Sequence, residues 1–430
     1  MRIRHHLIGK QAVAERVTVS SRDFVYEHFS DFYSSPSTVI PSPVSLGQRE
    51  LGFLLFKERV MLRHKFFARI SDLKFFISET VPSDVYHSCA YYENPSADMD
   101  QKGWLGADLV FDIDADHIPT SCKKIHDEWT CTSIECHFSG KGVIPETCPA
   151  CGGRKFETKT WPCDLCLESA KDETAKLIDI LEKDFGFSNN EIRVFFSGHR
   201  GYHVHIENED IKTLDTVARK EIVDYVFGLG LTISSNKGKG GSGRRRATHE
   251  FSLHDFGWNK RLKFGLQKFL LNATKEDLKN AGVIGKSAAE ILENKELIVN
   301  RCVEDGRWDS IKGVGVTTWK KLTEHVKVLE SSSIDTVVTT DTHRLIRMNG
   351  TLHGKTGLKK VEFALSGLED FDPFKEAVAF KGGAVKLFVS DAPEFRLGGN
   401  VFGPYKRKTV ELPTVAAVLL ICKGRAEVAK

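Results

Sequence analysis

The sequence predicts an α/β protein whose core is a mixed β-sheet, with a cysteine-rich stem and a helical insertion. Three observations predict this fold class: strand-like segments that carry polar motifs, seven cysteines confined to residues 122–166, and a lysine-rich helical segment at residues 251–329. The strand-like segments lie on both sides of the stem and the insertion. We therefore expect a discontinuous core that is formed by residues 1–121, 167–250 and 330–430.

The composition is that of an ordinary globular protein, because 41% of its 430 residues are hydrophobic and 28% are charged. The formal net charge of +3 is nearly balanced, so overall charge does not identify a nucleic-acid binder. The first 17 residues lack the apolar core of a secretory signal, and the longest clean apolar run, Val415 to Cys422, is too short to span a bilayer. We expect a cytoplasmic protein with no membrane partner and with reduced thiols.

The segment DLVFDIDADH, residues 108–117, is the clearest strand in the first third of the chain. Side chains alternate between the two faces of a strand, which places three apolar residues on one face: Leu109, Phe111 and Ile113. The opposite face then carries Val110, Asp112, Asp114 and Asp116. Adjacent carboxylates repel each other, and Mg²⁺ or Mn²⁺ would compensate their charge. Two such ions suit an in-line phosphoryl displacement. A solvated D-x-D at the end of a strand is the alternative.

The segment SGHRGYHVH, residues 197–205, predicts a tight turn between two strands. Glycines let the backbone approach a ligand closely, while Ser197, His199 and Arg200 offer donors for phosphate oxygens. His203 and His205 share one strand face, and Tyr202 lies on the opposite, core-facing side. We interpret the H-x-H pair as a phosphate contact rather than a zinc site, because thiolate ligands are available nearby. A β-hairpin with exposed polar residues is the alternative.

The cysteine-rich stem, residues 122–166, contains four closely spaced ligand pairs: Cys122 and His126, Cys131 and Cys136, Cys148 and Cys151, and Cys163 and Cys166. Such spacing lets both members of a pair bind one tetrahedral Zn²⁺, so eight ligands suffice for two structural zinc ions. We favour a nested arrangement: Cys122, His126, Cys163 and Cys166 in one site, and Cys131, Cys136, Cys148 and Cys151 in the other. Other pairings and an iron–sulfur cluster are open alternatives.

A third polar segment, DTHRLIRMNGTLHGKTG, spans residues 341–357. It combines one carboxylate with several basic side chains among three glycines: Asp341, Arg344, Arg347, His353 and Lys355. This mixture suits an anionic ligand with an attached metal, because the acid can take the ion and the bases can take phosphates. A surface loop of mixed charge is the alternative.

The helical insertion, residues 251–329, contains two glycine turns, GVIGKSAAEIL and GVGVTTWKKL. They weakly resemble helix-hairpin-helix DNA-binding elements, but we interpret them as plain helix junctions, and we find no internal repeat. The preceding basic run KGKGGSGRRR, residues 237–246, predicts a flexible loop.

Taken together, FDIDADH, SGHRGYHVH and DTHRLIRMNGTLHGKTG resemble, in the same order, the motifs of the archaeo-eukaryotic primase catalytic subunit. The resemblance implies a primase-type core that synthesises short primers on a single-stranded DNA template from nucleoside triphosphates. It also implies a heterodimer with a primase large subunit. By position, it implies three metal-binding catalytic carboxylates: Asp112, Asp114 and Asp341. It implies five nucleotide contacts: Ser197, Arg200, His203, Arg347 and His353. Further candidates are His199, His205, Arg344 and Lys355.

Two other functions are compatible with these motifs. Stand-alone primase-polymerases and end-joining polymerases belong to the same superfamily, although the zinc stem and the helical C-terminus favour the replicative branch. A zinc-dependent nucleic-acid-binding module, in which the aspartates are structural, would bind DNA without incorporating nucleotides.

Overall fold

The computed structural model describes residues 21–56, 60–231, 256–304 and 313–429, together with residues 236–237 and 247–248. Residues 238–246 of the basic run, which we expect to form a loop, lie outside this description. Among the described residues, no helix is both long and apolar enough to cross a membrane.

The described strands, in chain order, are β1 (Leu51–Leu55), β2 (Met61–Lys65), β3 (Pro82–Ser88), β4 (Ala90–Tyr92), β5 (Trp104–Ala107), β6 (Leu109–Asp114), β7 (Glu128–Cys131), β8 (Ser139–Lys141), β9 (Phe156–Lys159), β10 (Ile192–Phe196), β11 (Gly201–Ile206), β12 (Asn236–Lys237), β13 (Ala247–Thr248), β14 (Leu345–Arg347), β15 (Val361–Phe363), β16 (Ala384–Ala392), β17 (Phe395–Leu397), β18 (Asn400–Phe402), β19 (Tyr405–Pro413) and β20 (Ala426–Val428).

The described α-helices are α1 (residues 21–34), α2 (Ile70–Thr80), α3 (Lys123–His126), α4 (Asp164–Lys183), α5 (Thr216–Val226), α6 (Gly257–Asn272), α7 (Lys275–Asn280), α8 (Lys286–Glu293), α9 (Lys295–Glu304), α10 (Val316–Glu330), α11 (Thr336–Thr340), α12 (Pro373–Glu376) and α13 (Thr414–Cys422). Short 3₁₀ turns occur at Leu46–Gln48, Met99–Gln101, Ala115–His117 and Leu365–Gly367.

Two compact units divide the chain. The first unit consists of Met1–Asp172, Asn189–Arg219 and Ile334–Lys430. The second unit consists of Glu173–Ser188 and Lys220–Ser333. The cysteine-rich stem falls in the first unit, and the expected helical insertion falls in the second.

The sheet that carries the first two polar motifs has the strand order β15-β10-β11-β6. All three strand pairs are antiparallel, which differs from the mixed sheet expected from the sequence. The reason is local: a tight turn joins β10 to β11, and such a turn can connect only antiparallel neighbours. One face of the sheet is apolar and buried, including Phe111 and Tyr202, while the opposite face carries the motif side chains.

A second antiparallel sheet of the first unit has the order β14-β3-β1-β2. Aromatic and aliphatic side chains of α1, α2 and α13 form its core, including Phe29, Ile77 and Val418. Its strand β14 pairs with β3, so that Arg347 lies opposite Tyr86. The third polar motif therefore passes through a strand of this sheet, in which Ile346 and Arg347 are buried, and does not lie wholly in a surface loop.

Gly201 makes the pairing of β6 and β11 possible. A Cβ atom on this residue would lie 2.0 Å from the carbonyl oxygen of Ile113 and 2.9 Å from the Cα atom of Asp114. These contacts are with backbone atoms, so a side chain could be accommodated only if the two strands moved apart. The glycine thereby sets the register in which His203 lies opposite Asp112.

Replacing Gly201 by Ala should lower the melting temperature by roughly 5 °C or more, because the added methyl group forces β6 away from β11. Gly367→Ala is a matched control, because a Cβ there would meet nothing within 4 Å, and it should change the melting temperature by less than about 2 °C. Thermal unfolding followed by circular dichroism measures both. Equal effects of the two substitutions would show that the close approach is unimportant.

Candidate active site

Asp112 and Asp114 lie on the polar face of β6. The side chain of Asp112 is 24% exposed. Burial, and then the neighbouring charge of Asp114, raises the pKa of Asp112 to about 7. Burial also raises the pKa of Asp114, although Arg200 opposes that shift. The fold thus holds two carboxylates where their ionised forms are disfavoured, and a divalent cation would supply the missing positive charge.

A third carboxylate, that of Asp335, lies beside this pair. The amide of Asp335 donates to the carbonyl oxygen of Asp112 at 2.8 Å, and the charge of Asp335 contributes to the raised pKa of Asp112 after burial and Asp114. Asp335 precedes α11, where its Oδ1 atom accepts a hydrogen bond from the amide of Val337 at 2.9 Å. It therefore combines a helix cap with a position beside the aspartate pair.

Asp341, which the resemblance names as the third catalytic carboxylate, lies at the other end of α11. Its Oδ1 atom accepts from the amide of His343 at 2.9 Å, and the ring of His343 stacks on Tyr92 with centroids 6.0 Å apart. Asp335 thus contacts Asp112 through its backbone amide, whereas the carboxylate of Asp341 accepts its hydrogen bond from His343. The catalytic role of Asp341 stays a prediction.

Histidines of β11 extend the polar face next to Asp112. The Nε2 atom of His203 is 3.6 Å from Oδ1 of Asp112, and its buried Nδ1 atom has no hydrogen-bond partner among the described residues. The ring of His205 is nearly parallel to that of His203, at 6.3 Å. Lys360 is buried near these side chains, and burial lowers its pKa to about 7 although nearby Asp112 opposes the shift.

A cluster of basic side chains brings together the second and third motifs. The rings of His199 and His353 stack with centroids 5.0 Å apart, and Nζ of Lys423 lies 2.6 Å from Nε2 of His199. Burial, followed by the charges of Lys423, His353, Lys355 and Arg347, lowers the pKa of His199 well below its usual value. Burial and nearby cations likewise lower the pKa of Lys423 to about 7. A bound polyanion would favour the protonated forms of this cluster.

Arg347 is oriented by Asp84, a residue outside the three motifs. Its Nη1 atom is 2.5 Å from Oδ1 of Asp84 and donates to the carbonyl oxygen of Leu352 at 3.1 Å. The amide of Gly354 donates to the same Asp84 oxygen at 3.0 Å. Asp84 therefore fixes both Arg347 and the loop that carries His353 and Lys355.

Hydrogen bonds within the turn, and one from the third motif, stabilise the turn between β10 and β11. The amide of Ser197 donates to the carbonyl oxygen of Gly201 at 2.9 Å, and Oγ of Ser197 accepts from the amide of His199 at 3.3 Å. Gly198 has a φ of 87°, a conformation that favours glycine. Its carbonyl oxygen accepts from Oγ1 of Thr356 at 2.6 Å, which joins the second motif to the third.

Arg200 is placed differently from the expectation that it contacts a triphosphate. Its guanidinium group is buried and forms ion pairs with Asp116 and Asp127. The Nη1 atom lies 2.8 Å and 2.9 Å from the two carboxylate oxygens of Asp127 and also donates to the carbonyl oxygen of Trp161 at 3.3 Å. In this arrangement Arg200 connects the turn to the cysteine-rich stem, so we assign it a positioning role.

Comparison with known proteins identifies the family. The family described as DNA primase small subunit matches residues 157–365. The DNA primase small subunit PriS of Methanococcoides burtonii is 33% identical over 428 residues, which cover 95% of this chain and 99% of the relative. The chain belongs to the DNA primase small subunit family. PriS of Nitrosopumilus maritimus is 30% identical, with 94% and 98% covered. PriS of Methanothrix thermoacetophila is 32% identical, with the same coverage.

In this primase small subunit, the cysteine-rich stem contains two clusters of ligand atoms. Within each cluster the four ligand atoms lie within 4.8 Å of one another: Cys122, His126, Cys163 and Cys166 in the first cluster, and Cys131, Cys136, Cys148 and Cys151 in the second. This is the nested grouping expected from the sequence.

The distances within both clusters fit zinc. Sulfur atoms of the first cluster are 3.4 to 3.6 Å apart, and those of the second are 3.6 to 3.7 Å apart. Thiolates that share a tetrahedral zinc at about 2.3 Å are separated by roughly 3.8 Å, whereas a disulfide requires about 2.05 Å. Nδ1 of His126 pairs with Asp127 at 2.7 Å, and Nε2 lies 3.2 Å from Sγ of Cys163. That arrangement is typical of a zinc-binding histidine.

Several side chains of the site lie outside the motifs that the sequence analysis used: Asp84, Asp335, Lys360 and Lys423. For two of these residues, a sequence pattern at a helix end could have indicated the position. Asp335 precedes a short helix, as N-cap residues do, and Lys423 follows the apolar helix α13, where basic residues are common. Asp84 and Lys360 belong to no local pattern, and only the fold brings them to the site.

We expect about two zinc ions per purified chain. Either Cys148→Ser or Cys166→Ser should reduce this number to about one, because each removes a buried ligand from a different cluster. Inductively coupled plasma mass spectrometry measures the zinc content. Loss of both ions in either variant, or of neither, would contradict two independent sites.

Cys166→Ser should also reduce activity more than Cys148→Ser does. The first cluster contains His126, which binds Asp127, and Asp127 in turn binds Arg200 of the nucleotide-motif turn. Steady-state primer-extension rates, compared at matched protein concentration, test this order.

Proposed function

We propose that this chain is the catalytic subunit of a primase that synthesises primers on single-stranded DNA by metal-dependent nucleotidyl transfer. The observation that carries the proposal is the meeting of opposite charges in one site. Lys355 lies near both groups: its charge opposes the rise in the pKa of Asp114 that burial causes, and after burial it is among the cations that lower the pKa values of His199 and His353. Metal-binding carboxylates and a polycationic cluster side by side suit a metal–triphosphate complex.

In this proposal the carboxylates of Asp112, Asp114 and Asp335 would hold Mg²⁺ or Mn²⁺. Such ions, when bound, would supply Lewis-acid activation of a 3′-hydroxyl and would neutralise charge on the phosphates of the incoming nucleotide. The raised pKa of Asp112 means that metal-ion binding would keep this carboxylate ionised near neutral pH. The fold therefore supplies the ligands, and their mutual repulsion favours occupation by cations.

The basic cluster holds the triphosphate in this proposal. His199, His353, Lys355 and Lys423 surround the point at which the second and third motifs meet. Their positive charge would offset the charge that builds on the departing pyrophosphate. His203, between Asp112 and the cluster, would orient the nucleotide through its free nitrogen.

The family resemblance supports a heterodimer with a primase large subunit. In that arrangement the large subunit helps to start primers, and this chain mainly extends them. The expected consequence is that primer initiation on an unprimed template increases when the large subunit is added. Extension of a pre-formed primer should depend on it much less.

Asp112→Asn and Asp335→Asn should each reduce nucleotide incorporation by about 100-fold or more, because each removes a carboxylate of the metal site. Asp341→Asn is the matched control and should keep most of the activity. Incorporation of labelled nucleotides on single-stranded DNA, with Mg²⁺ or Mn²⁺, measures all three. The reverse order, with Asp335→Asn active and Asp341→Asn inactive, would assign the third carboxylate to Asp341.

A protein that binds DNA but incorporates no nucleotide, even with its large subunit present, would refute the catalytic proposal. That result would support the alternative of a zinc-dependent nucleic-acid-binding module.

Lys423→Ala should raise KM for the incoming nucleotide by roughly 10-fold, because it removes a cation from the phosphate-binding cluster. Lys408→Ala, which removes an exposed lysine of β19, should leave KM unchanged. Steady-state extension of a primed template at varied nucleotide concentration gives KM and kcat. An unchanged KM in Lys423→Ala would exclude this lysine from nucleotide binding.

A further inference from the structure

A small cavity of the first unit contains polar side chains that the proposed reaction does not use. It is lined by residues of both four-stranded sheets, including His87 of β3, Phe195 of β10 and His205 of β11, and by Lys360 directly before β15. Residues 41–44 also line it. Its volume is about 40 Å³. Since a water molecule needs ~10–15 Å³, the cavity has room for about three water-sized groups. That space suits one tetrahedral oxyanion and is too small for a triphosphate.

Lys360 brings a cation without an acidic partner to this cavity. Its side chain is buried, and its Nζ atom donates to the carbonyl oxygen of Arg347 at 2.9 Å and lies 4.5 Å from the centre of the Phe195 ring. Within the described part of the chain, it forms no ion pair with a carboxylate. An ammonium group has three N–H donors, so two remain for a ligand.

Two buried imidazoles bring nitrogen atoms without a protein partner. The Nε2 atom of His205 is buried and has no hydrogen-bond partner among the described residues. The Nδ1 atom of His87 lies 3.1 Å from the carbonyl oxygen of Ser88. Because a carbonyl oxygen only accepts, Nδ1 carries the proton, and Nε2 of the neutral ring is an acceptor. Burial, and then nearby cations, lowers the pKa values of His205 and His87 well below the usual range, which keeps both rings neutral.

Other charged groups of the cavity wall are paired within the protein. Arg49 forms a buried ion pair with Asp108 at 2.7 Å. Arg193 forms ion pairs with Glu207 at 2.5 Å and Glu362 at 2.6 Å. Both glutamates are partly exposed, at 28% and 32%, so water and salt screen their charge. The buried lysine is left to attract an anion, and the neutral imidazoles are left to accept hydrogen bonds from it.

Orthophosphate combines the two kinds of group that this lining requires. Near neutral pH it is a mixture of H₂PO₄⁻ and HPO₄²⁻, so every ion carries a P–OH donor beside its charged oxygens. Sulfate has the same shape but no donor at this pH. A phosphate monoester has a second pKa of about 6 and loses its donor above that pH. The lining therefore favours free orthophosphate over sulfate and over the terminal phosphate of a nucleic acid.

We propose that this cavity binds one orthophosphate ion, which accepts hydrogen bonds from Lys360 and donates its P–OH groups to His205 and His87. The ion would join β3, β11 and the segment before β15, and so connect the two sheets. The residues that line the cavity do not include His199 or Lys423 of the basic cluster. The proposed site is therefore separate from the triphosphate site, and it does not depend on the metal-binding carboxylates.

Equilibrium dialysis of the full chain against ³²P-labelled orthophosphate near neutral pH tests this proposal. The wild type should bind one phosphate that excess sulfate does not displace. Lys360→Met should weaken phosphate binding by roughly 10-fold or more, because it removes the cation. His205→Phe should weaken it by roughly 5-fold or more, because it removes a hydrogen-bond partner and keeps a ring beside Phe195.

Two control variants locate the bound ion. Lys359→Met removes the same charge from the preceding residue, which does not line the cavity, and should change phosphate affinity by less than about twofold. Lys423→Ala removes a cation of the basic cluster and should also leave phosphate affinity within about twofold. Thermal unfolding confirms that each variant is folded. At equal ionic strength, phosphate should raise the melting temperature of the wild type more than sulfate does, and Lys360→Met should abolish that difference.

Four results would overturn the proposal. The first is displacement of phosphate by an equal concentration of sulfate, and the second is unchanged phosphate affinity in both cavity variants. The third is loss of binding in Lys423→Ala, which would place the ion in the basic cluster. The fourth is an absence of binding at millimolar phosphate, which would mean that water alone fills the cavity. Asp112→Asn should bind phosphate while failing to incorporate nucleotides, so failure of the catalytic proposal and failure of this one are distinguishable.

Discussion

The pairing of β6 with β11 is the interaction on which the site depends. It requires Gly201, because any larger residue would collide with the backbone at Ile113 and Asp114. In the resulting register His203 faces Asp112, and the turn after β10 lies beside the end of β6. The loop that follows β14 then docks on that turn through Thr356. One close backbone contact therefore aligns motifs that are far apart in the sequence.

The site concentrates charges in a way that opposes folding stability. On one side, burial and then the charges of Asp114 and Asp335 raise the pKa of Asp112; on the other, burial and then neighbouring cations lower the pKa values of His199 and Lys423. Neither cluster is neutralised within itself, and a fold selected only for stability would avoid both. The metal ions would neutralise the aspartates, and the triphosphate would neutralise the basic cluster. Binding of the complex would therefore relieve the electrostatic repulsion within each cluster.

Sequence patterns correctly predicted the features that depend on residues close together in the chain. The period of two along a strand placed Asp112 and Asp114 on the polar face and Phe111 on the core face, as observed. The spacing of the cysteines indicated two four-ligand groups, because nearby ligands are constrained by the chain between them. The α/β class was predicted, but strand direction was not, since direction depends on connections that no short pattern specifies.

The site residues that sequence patterns did not identify are brought to the site by tertiary contacts. Asp335 lies six residues before the carboxylate that the motif suggested, and it is distinguished by its backbone hydrogen bond to Asp112 and by the effect of its charge on that residue. Asp84 and Lys423 reach the site from distant elements.

The most direct measurement is a crystal structure with Mn²⁺ and a non-hydrolysable nucleoside triphosphate, with the metal located by its anomalous scattering. The account predicts Mn²⁺ between Asp112, Asp114 and Asp335, and a triphosphate against His199, His353, Lys355 and Lys423. Mn²⁺ bound elsewhere, or a triphosphate that does not contact the basic cluster, would contradict the claim that these opposed charges form one nucleotidyl-transfer site.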